Sequence, residues 1–133
     1  MAGSLGGISA ITLFAEDLPR TRSFYEDVFG LSVIFEDDAS AAFDFGGIVI
    51  NLLQVSAAPE LIAPGTVAGP DAGARLQLTV EVEDVDAVCV ELDRKGVALL
   101  NGPMDRPWGV RTASFTDPAG NVWEIAQPVP RES

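Results

Sequence analysis

The chain has 133 residues and a mass of 14.0 kDa, the size of one domain. Hydrophobic residues make up 47%, enough for a packed core, so wholesale disorder is excluded. Lys plus Arg number 8 and Asp plus Glu number 20, a formal net charge of -12, which repels nucleic-acid phosphates and anionic lipid heads and favours cationic ligands. There is no His, so imidazole as base, shuttle or metal ligand is excluded. The single Cys89 excludes an internal disulfide framework and a cysteine-cluster metal site. No apolar run approaches the ~20 residues of a membrane span. The opening MAGSLGG has neither a basic n-region nor a long apolar stretch, so no signal peptide is expected. These features predict a soluble, cytoplasmic domain with no nucleic-acid or membrane partner.

In chain order, residues 8–15 read as a strand rich in Ile, Leu, Thr and Phe. Asp17-Leu18-Pro19 opens a helix: the Asp carboxylate can accept unpaired N–H groups there, and Pro suits the first turn. Leu18, Tyr25, Val28 and Phe29 fall at helical spacing, and Gly30 stops the helix. Strands are expected at residues 32–36, 41–45 and 48–54, with Gly46-Gly47 as a turn. Residues 56–74, rich in Ala, Pro and Gly, read as a linker.

The second half repeats this order. Residues 76–82 alternate, with Leu76, Leu78, Val80 and Val82 on one face and Gln77, Thr79 and Glu81 on the other. Asp84 opens a helix with the stripe Val85, Val88, Cys89 and Leu92, and Gly96 ends it. Strands follow at 97–100, 110–116 and 122–126, the last two joined by the turn Asp117-Pro118-Ala119-Gly120-Asn121. Asp17 aligns with Asp84, Gly30 with Gly96, and Asp44 with Asp117. The chain therefore reads as two βαβββ modules, about 8–55 and 75–127, in one domain spanning 1–133.

Asp17-Leu18, Ser23-Phe24-Tyr25 and Phe29-Gly30-Leu31 resemble the first helix of the glyoxalase / bleomycin-resistance / extradiol-dioxygenase superfamily, the vicinal oxygen chelate proteins. Phe115-Thr116-Asp117-Pro118-Ala119-Gly120-Asn121-Val122-Trp123-Glu124-Ile125 resembles that superfamily's closing hairpin. The resemblance implies an α+β fold of paired βαβββ modules, forming a curved sheet around a cavity, and a homodimer. It also implies four inward-facing positions that hold a metal in the metal-dependent members: Ala10, Asn51, Gln77 and Glu124 here. Ala10 coordinates nothing, and Asn51 and Gln77 offer only amide oxygens. Catalytic metals usually want three protein ligands with His or carboxylates prominent, so no metal and no cofactor are expected.

Glu124 is the candidate catalytic residue, a carboxylate in an apolar cavity whose burial would raise its pKa and make it a base. The alternative is a relic carboxylate hydrogen-bonded to Gln77 or Asn51. Gln77 and Asn51 are candidate ligand-binding residues, or a polar patch bonded to itself. Trp108 follows Pro107 in a loop, where it would stack on a flat ligand or cap a dimer contact. Arg111 either binds an anionic group or pairs with one of the many acids. Phe115 is a candidate cavity wall, although strand aromatics are usually core. Trp123 belongs on the opposite face from Glu124, under the helices. Tyr25 and Cys89 are packing residues, and the acidic runs Glu36-Asp37-Asp38 and Glu81-Glu83-Asp84 are either solvated surface or the mouth of a cleft for a basic molecule. The expected function is metal-independent binding of a small cationic or aromatic molecule, including sequestration of an antibiotic or toxic metabolite. The alternative is a glyoxalase-type lyase or isomerase with Glu124 as base.

Overall fold

The alternating and helical patterns fold into two four-stranded mixed sheets, each carrying its own helix. A computed structural model describes residues 6–129. Residues 1–5, most of the stretch read for a signal peptide, lie outside them. The chain divides into two compact units, with the boundary between Gly69 and Pro70, inside the predicted linker.

The first unit contains β1 (Ala10–Ala15), α1 (Leu18–Val28), β2 (Val33–Glu36), β3 (Ser40–Asp44) and β4 (Val49–Gln54). Its strand order is β1-β4-β3-β2. β1 runs parallel to β4, and the other pairs are antiparallel. Asp17 caps α1, its Oδ1 accepting from the Arg20 N–H at 3.1 Å. Gly30 takes φ 66° just beyond the helix, a conformation that only glycine adopts freely. The helix lays an aromatic face on the sheet: Tyr25 stacks on Phe43 with centroids 5.8 Å apart, and on Phe29 at 5.4 Å. Tyr25, Phe43, Leu13 and Leu52 are buried, so Tyr25 is core, as its place on the apolar stripe predicts.

The second unit repeats the plan with β5 (Gln77–Glu81), α3 (Val85–Arg94), β6 (Leu99–Asp105), β7 (Val110–Thr116) and β8 (Val122–Pro128), in the order β5-β8-β7-β6. Asp84 caps α3 through the Ala87 N–H at 3.1 Å. Val85, Leu92, Ala113, Phe115, Trp123 and Ile125 form the buried layer. Cys89 is half-buried; loss of solvent there pushes its thiol pKa up.

The closing strands share a device that spacing alone did not suggest. Gln54, at the end of β4, accepts from the Leu18 N–H at 3.1 Å through its Oε1. Gln127, near the end of β8, accepts from the Val85 N–H at 2.8 Å in the same way. Each glutamine satisfies one of the orphan donors at the first turn of its helix. The pair also fixes which face of each sheet meets the helix, because strand side chains alternate.

Three details differ from expectation. β6 is longer than residues 97–100, because bulges carry the strand past Gly102-Pro103. A Cβ on Gly102 would lie 2.5 Å from the Thr112 carbonyl oxygen, so glycine is what lets the bulge press on β7. The linker is partly structured: α2 (Pro59–Ile62) sits between single 3-10 turns at Val55–Ala57 and Pro70–Ala72. The final hairpins are offset by one residue in their turns. Asp44 pairs with Val49, whereas Thr116, not Asp117, occupies the corresponding place opposite Val122. Among the described residues, no helix is long and apolar enough to cross a membrane.

Candidate functional site

The register of the second sheet places a row of polar side chains across its face away from α3. Thr79 of β5 stands beside Glu124 of β8, Glu124 beside Ser114 of β7, and Ser114 beside Asn101 of β6. The Thr79 hydroxyl donates to Glu124 Oε1 at 3.0 Å. Glu124 is half-buried. Its second carboxylate oxygen has no hydrogen-bond partner among the described residues. Gln77 lies on the same face, two residues along β5, and is exposed. Within its own sheet Glu124 is therefore held by Thr79 rather than by Gln77, a correction set by the parallel register that pairs Gln77 with Val122.

Three further residues, Arg106, Thr112 and Trp108, complete this face. Arg106 donates from Nε to the Thr112 hydroxyl at 2.9 Å and from Nη2 to Asn101 Oδ1 at 3.2 Å. Thr112 shares the face with Ser114 and is only 1% exposed. The Trp108 ring centre lies 5.9 Å from the Arg106 guanidinium carbon, within reach of a cation–π contact. Trp108 itself is 64% exposed, in the turn closed by the Gly109 N–H on the Arg106 carbonyl.

Arg111 and Phe115 do not join this face. Odd-numbered residues of β7 point toward α3, as the buried pair Phe115 and Trp123 shows. Phe115 is 1% exposed and is core, not a cavity wall. Arg111 bonds Asp86 of α3 at 2.9 Å and Asp105 at 3.0 Å. The hydrogen bond to Asp86, then that to Asp105, push its pKa up. Arg111 thus takes the ion-pairing role, consistent with the acid excess, and is corrected as a ligand residue. Trp123 lies under the helix, as predicted.

In the first unit the equivalent row is Thr12, Asn51, Ala42 and Phe35. Asn51 and Glu124 stand at matching register positions, and so do Thr12 and Thr79. The first row is half apolar and carries no charge, while the second is polar throughout, with a carboxylate and two hydroxyls. In the acidic run, Glu36 ion-pairs with Arg22, Asp37 turns the chain by accepting from the Ala39 N–H and the Ser40 hydroxyl, both at 2.9 Å, and Asp37 and Asp38 are exposed at the rim of a cleft. A cleft of about 380 Å³ opens on the helix side of this unit, between Leu18, Arg22 and Glu26 of α1 and Asp37, Ser40 and Gln54. None of the predicted site residues lines it.

The donor set of the second face does not fit a catalytic transition-metal ion. It offers one carboxylate, with hydroxyls and amides around it, where such ions want several His or carboxylate ligands. Among the described residues no group of three or more His, Cys, Asp or Glu side chains converges.

Thr79 and Ser114 were missed as site residues, though Thr79 carried a signal by sharing the polar alternation of Gln77. Arg106 and Asn101 carried little, because Pro103 reads as a strand breaker.

Relatives share both sequence and fold. The model of the Glyoxalase/Bleomycin resistance protein/Dioxygenase superfamily matches residues 7–125. The uncharacterized protein YraH of Bacillus subtilis (strain 168) is 34% identical over 120 residues, covering 86% of this chain and 93% of that protein. Virulence protein STM3117 of Salmonella typhimurium is 27% identical over 125 residues, covering 92% of this chain and 84% of that protein. The crystal structure of a glyoxalase/bleomycin resistance protein/dioxygenase from Nocardioides superposes with a TM-score of 0.86 at 22% identity, covering 98% of this chain and 88% of that one. With the family model spanning nearly the whole length and the two repeated modules in place, this chain belongs to the glyoxalase/bleomycin resistance protein/dioxygenase superfamily.

Proposed function

We propose that the chain binds a small molecule on the polar face of its second sheet, with no resident metal ion taking part. The observation that carries this reading is the row Asn101, Ser114, Glu124 and Thr79, which gathers several donors and acceptors around one carboxylate. Binding needs only shape, a flat wall and a few convergent polar groups. Trp108 and Gln77 extend the row. Sequestration of an antibiotic or toxic metabolite is the expected biological use, and a homodimer is the expected assembly.

Ligand binding raises the melting temperature by mass action. A panel of small aromatic and amine-bearing metabolites, with and without Mg, Mn, Fe, Ni, Co and Zn salts, tests the reading by thermal shift. The expected result is stabilisation by organic compounds that persists in chelator and weakens in Glu124→Gln. A panel with no hits, or stoichiometric metal bound to wild type and lost in Glu124→Ala, overturns it.

A second reading is supported by the carboxylate's geometry. Thr79 holds one oxygen of Glu124 and leaves the other without a partner among the described residues. A carboxylate fixed in this way suits proton transfer. As a lyase or isomerase, the protein would use Glu124 to take a proton from a carbon acid. Glu124→Gln should then abolish turnover while binding persists; turnover at the wild-type rate in that variant ends this reading.

A further inference from the structure

We infer that Arg106 is an anion-recognising residue of the polar face, and that the ligand carries a carboxylate. This inference rests on the binding role proposed above and names the chemistry of what binds.

Arg106 is held in place by neutral groups. Its Nε donates to the Thr112 hydroxyl and its Nη2 to Asn101 Oδ1. Arg22, Arg94 and Arg111, by contrast, all pair with carboxylates. Among the described residues, Arg20 and Arg75 also lack a carboxylate partner but are exposed; Arg106 is half-buried and has none. Its positive charge is left for something else.

The orientation of the guanidinium sharpens the point. A guanidinium has five N–H donors in a fixed plane. The two bonds in use leave three donors, including one on each terminal nitrogen. With the Asn101 bond made by the Nη2 hydrogen on the Nε side, the free pair on Nη1 and Nη2 would match the two oxygens of a carboxylate. Thr112 is almost wholly buried, so the Nε bond anchors the plane against a fixed part of the sheet. The Trp108 ring beside the guanidinium supplies a flat wall for a planar acid.

The distance to Glu124 sets the rest of the ligand. Asn101 is two strands from Glu124 through Ser114, or roughly 10 Å at the usual strand spacing. A small molecule with a carboxylate at Arg106 would present its far end to Glu124. That end would be a hydrogen-bond donor, an ammonium or a hydroxyl, because Glu124 is an acceptor. The class is a compact amino acid or hydroxy acid, preferably aromatic, and a simple cation lacks half of the match.

The test compares acids with their amides. 4-Hydroxybenzoate and 4-(aminomethyl)benzoate, and the primary amides of both, are titrated into wild type, Arg106→Gln and Arg106→Lys by calorimetry and thermal shift. The expected result is binding of the acids by wild type, with affinity lower by about tenfold or more for the amides and in Arg106→Gln, as loss of a charge-assisted pair implies. Arg106→Lys should fall between, keeping the charge and losing the fork. If acids and amides bind wild type equally, or Arg106→Gln binds the acids as well as wild type does, the inference fails and the binding role stands. If the metabolite panel and all four probes fail, both fall. Should Arg106→Gln not fold, the acid-to-amide ratio in wild type decides.

Discussion

Replacing Gln127 with Met isolates one hydrogen bond. Methionine keeps the length and nearly the volume of glutamine but has no amide oxygen. The Val85 N–H, now 2.8 Å from Gln127 Oε1, loses its acceptor. Val85 is 0% exposed, so water does not reach the orphaned donor without local opening. An unsatisfied buried N–H costs about 1–3 kcal/mol. With a urea slope of roughly 1.5 kcal/mol/M, the unfolding midpoint should fall by about 0.7–2 M with an unchanged slope. The melting temperature should fall by roughly 4–12 °C, at about 4 °C per kcal/mol for a chain of this size. Amide exchange at Val85 should accelerate in the same variant. The Gln54→Met twin should behave alike through Leu18, and lose in addition the Gln54 Nε2 bond to the Glu16 carbonyl. Unchanged midpoints in both variants, with Val85 exchange as slow as in wild type, would refute the idea that these glutamines clamp the helix starts.

Phe115→Ala should lose about 3–5 kcal/mol, the cost of emptying a buried aromatic site, while ligand affinity in the folded fraction stays at the wild-type value; urea melts and calorimetry read the two separately. Arg111→Gln should leave ligand affinity unchanged and the urea midpoint close to wild type, because its ion pairs are solvent-screened; a large drop in affinity would return Arg111 to the site. Asp37 has its pKa held below 3.8, first by the Ala39 N–H and then by the Ser40 hydroxyl. Its contribution is full above pH 3.8 and fades as the pH falls through the lowered value. Asp37→Asn, which cannot titrate, should therefore lose less stability than wild type on acidification below pH 3.8, as urea midpoints across that range will show.

Much of the architecture was legible because each half states the same pattern in local terms. Asp17 and Asp84 cap, Gly30 and Gly96 stop, and the strands between them alternate. The candidate site was less legible, because it depends on register between distant strands. Glu124 and Gln77 could be put on one face from alternation alone, but their neighbours could not. Thr79 meets Glu124 only because β5 pairs with β8 in that frame. Phe115 and Arg111 each allowed two roles from the residues alone, and the pairing of β7 with β8, which turns both toward α3, decides for core packing and for ion pairing. Arg106 was hidden by the bulge at Gly102-Pro103, which carries a strand through residues that ordinarily end one.

The parallel pairing of β1 with β4, and of β5 with β8, imposes an order on synthesis. The first strand of each unit leaves the ribosome early but has no hydrogen-bonding neighbour until the last strand follows. Ala10 waits for Val49, and Gln77 for Val122. During that interval the helix and the hairpin between them can form, since their contacts are local. The early strand stays an open edge, prone to pairing with a neighbouring chain. A nascent chain stalled before Val122 would thus hold β6 and β7 paired but leave β5 without its hydrogen-bonding neighbour.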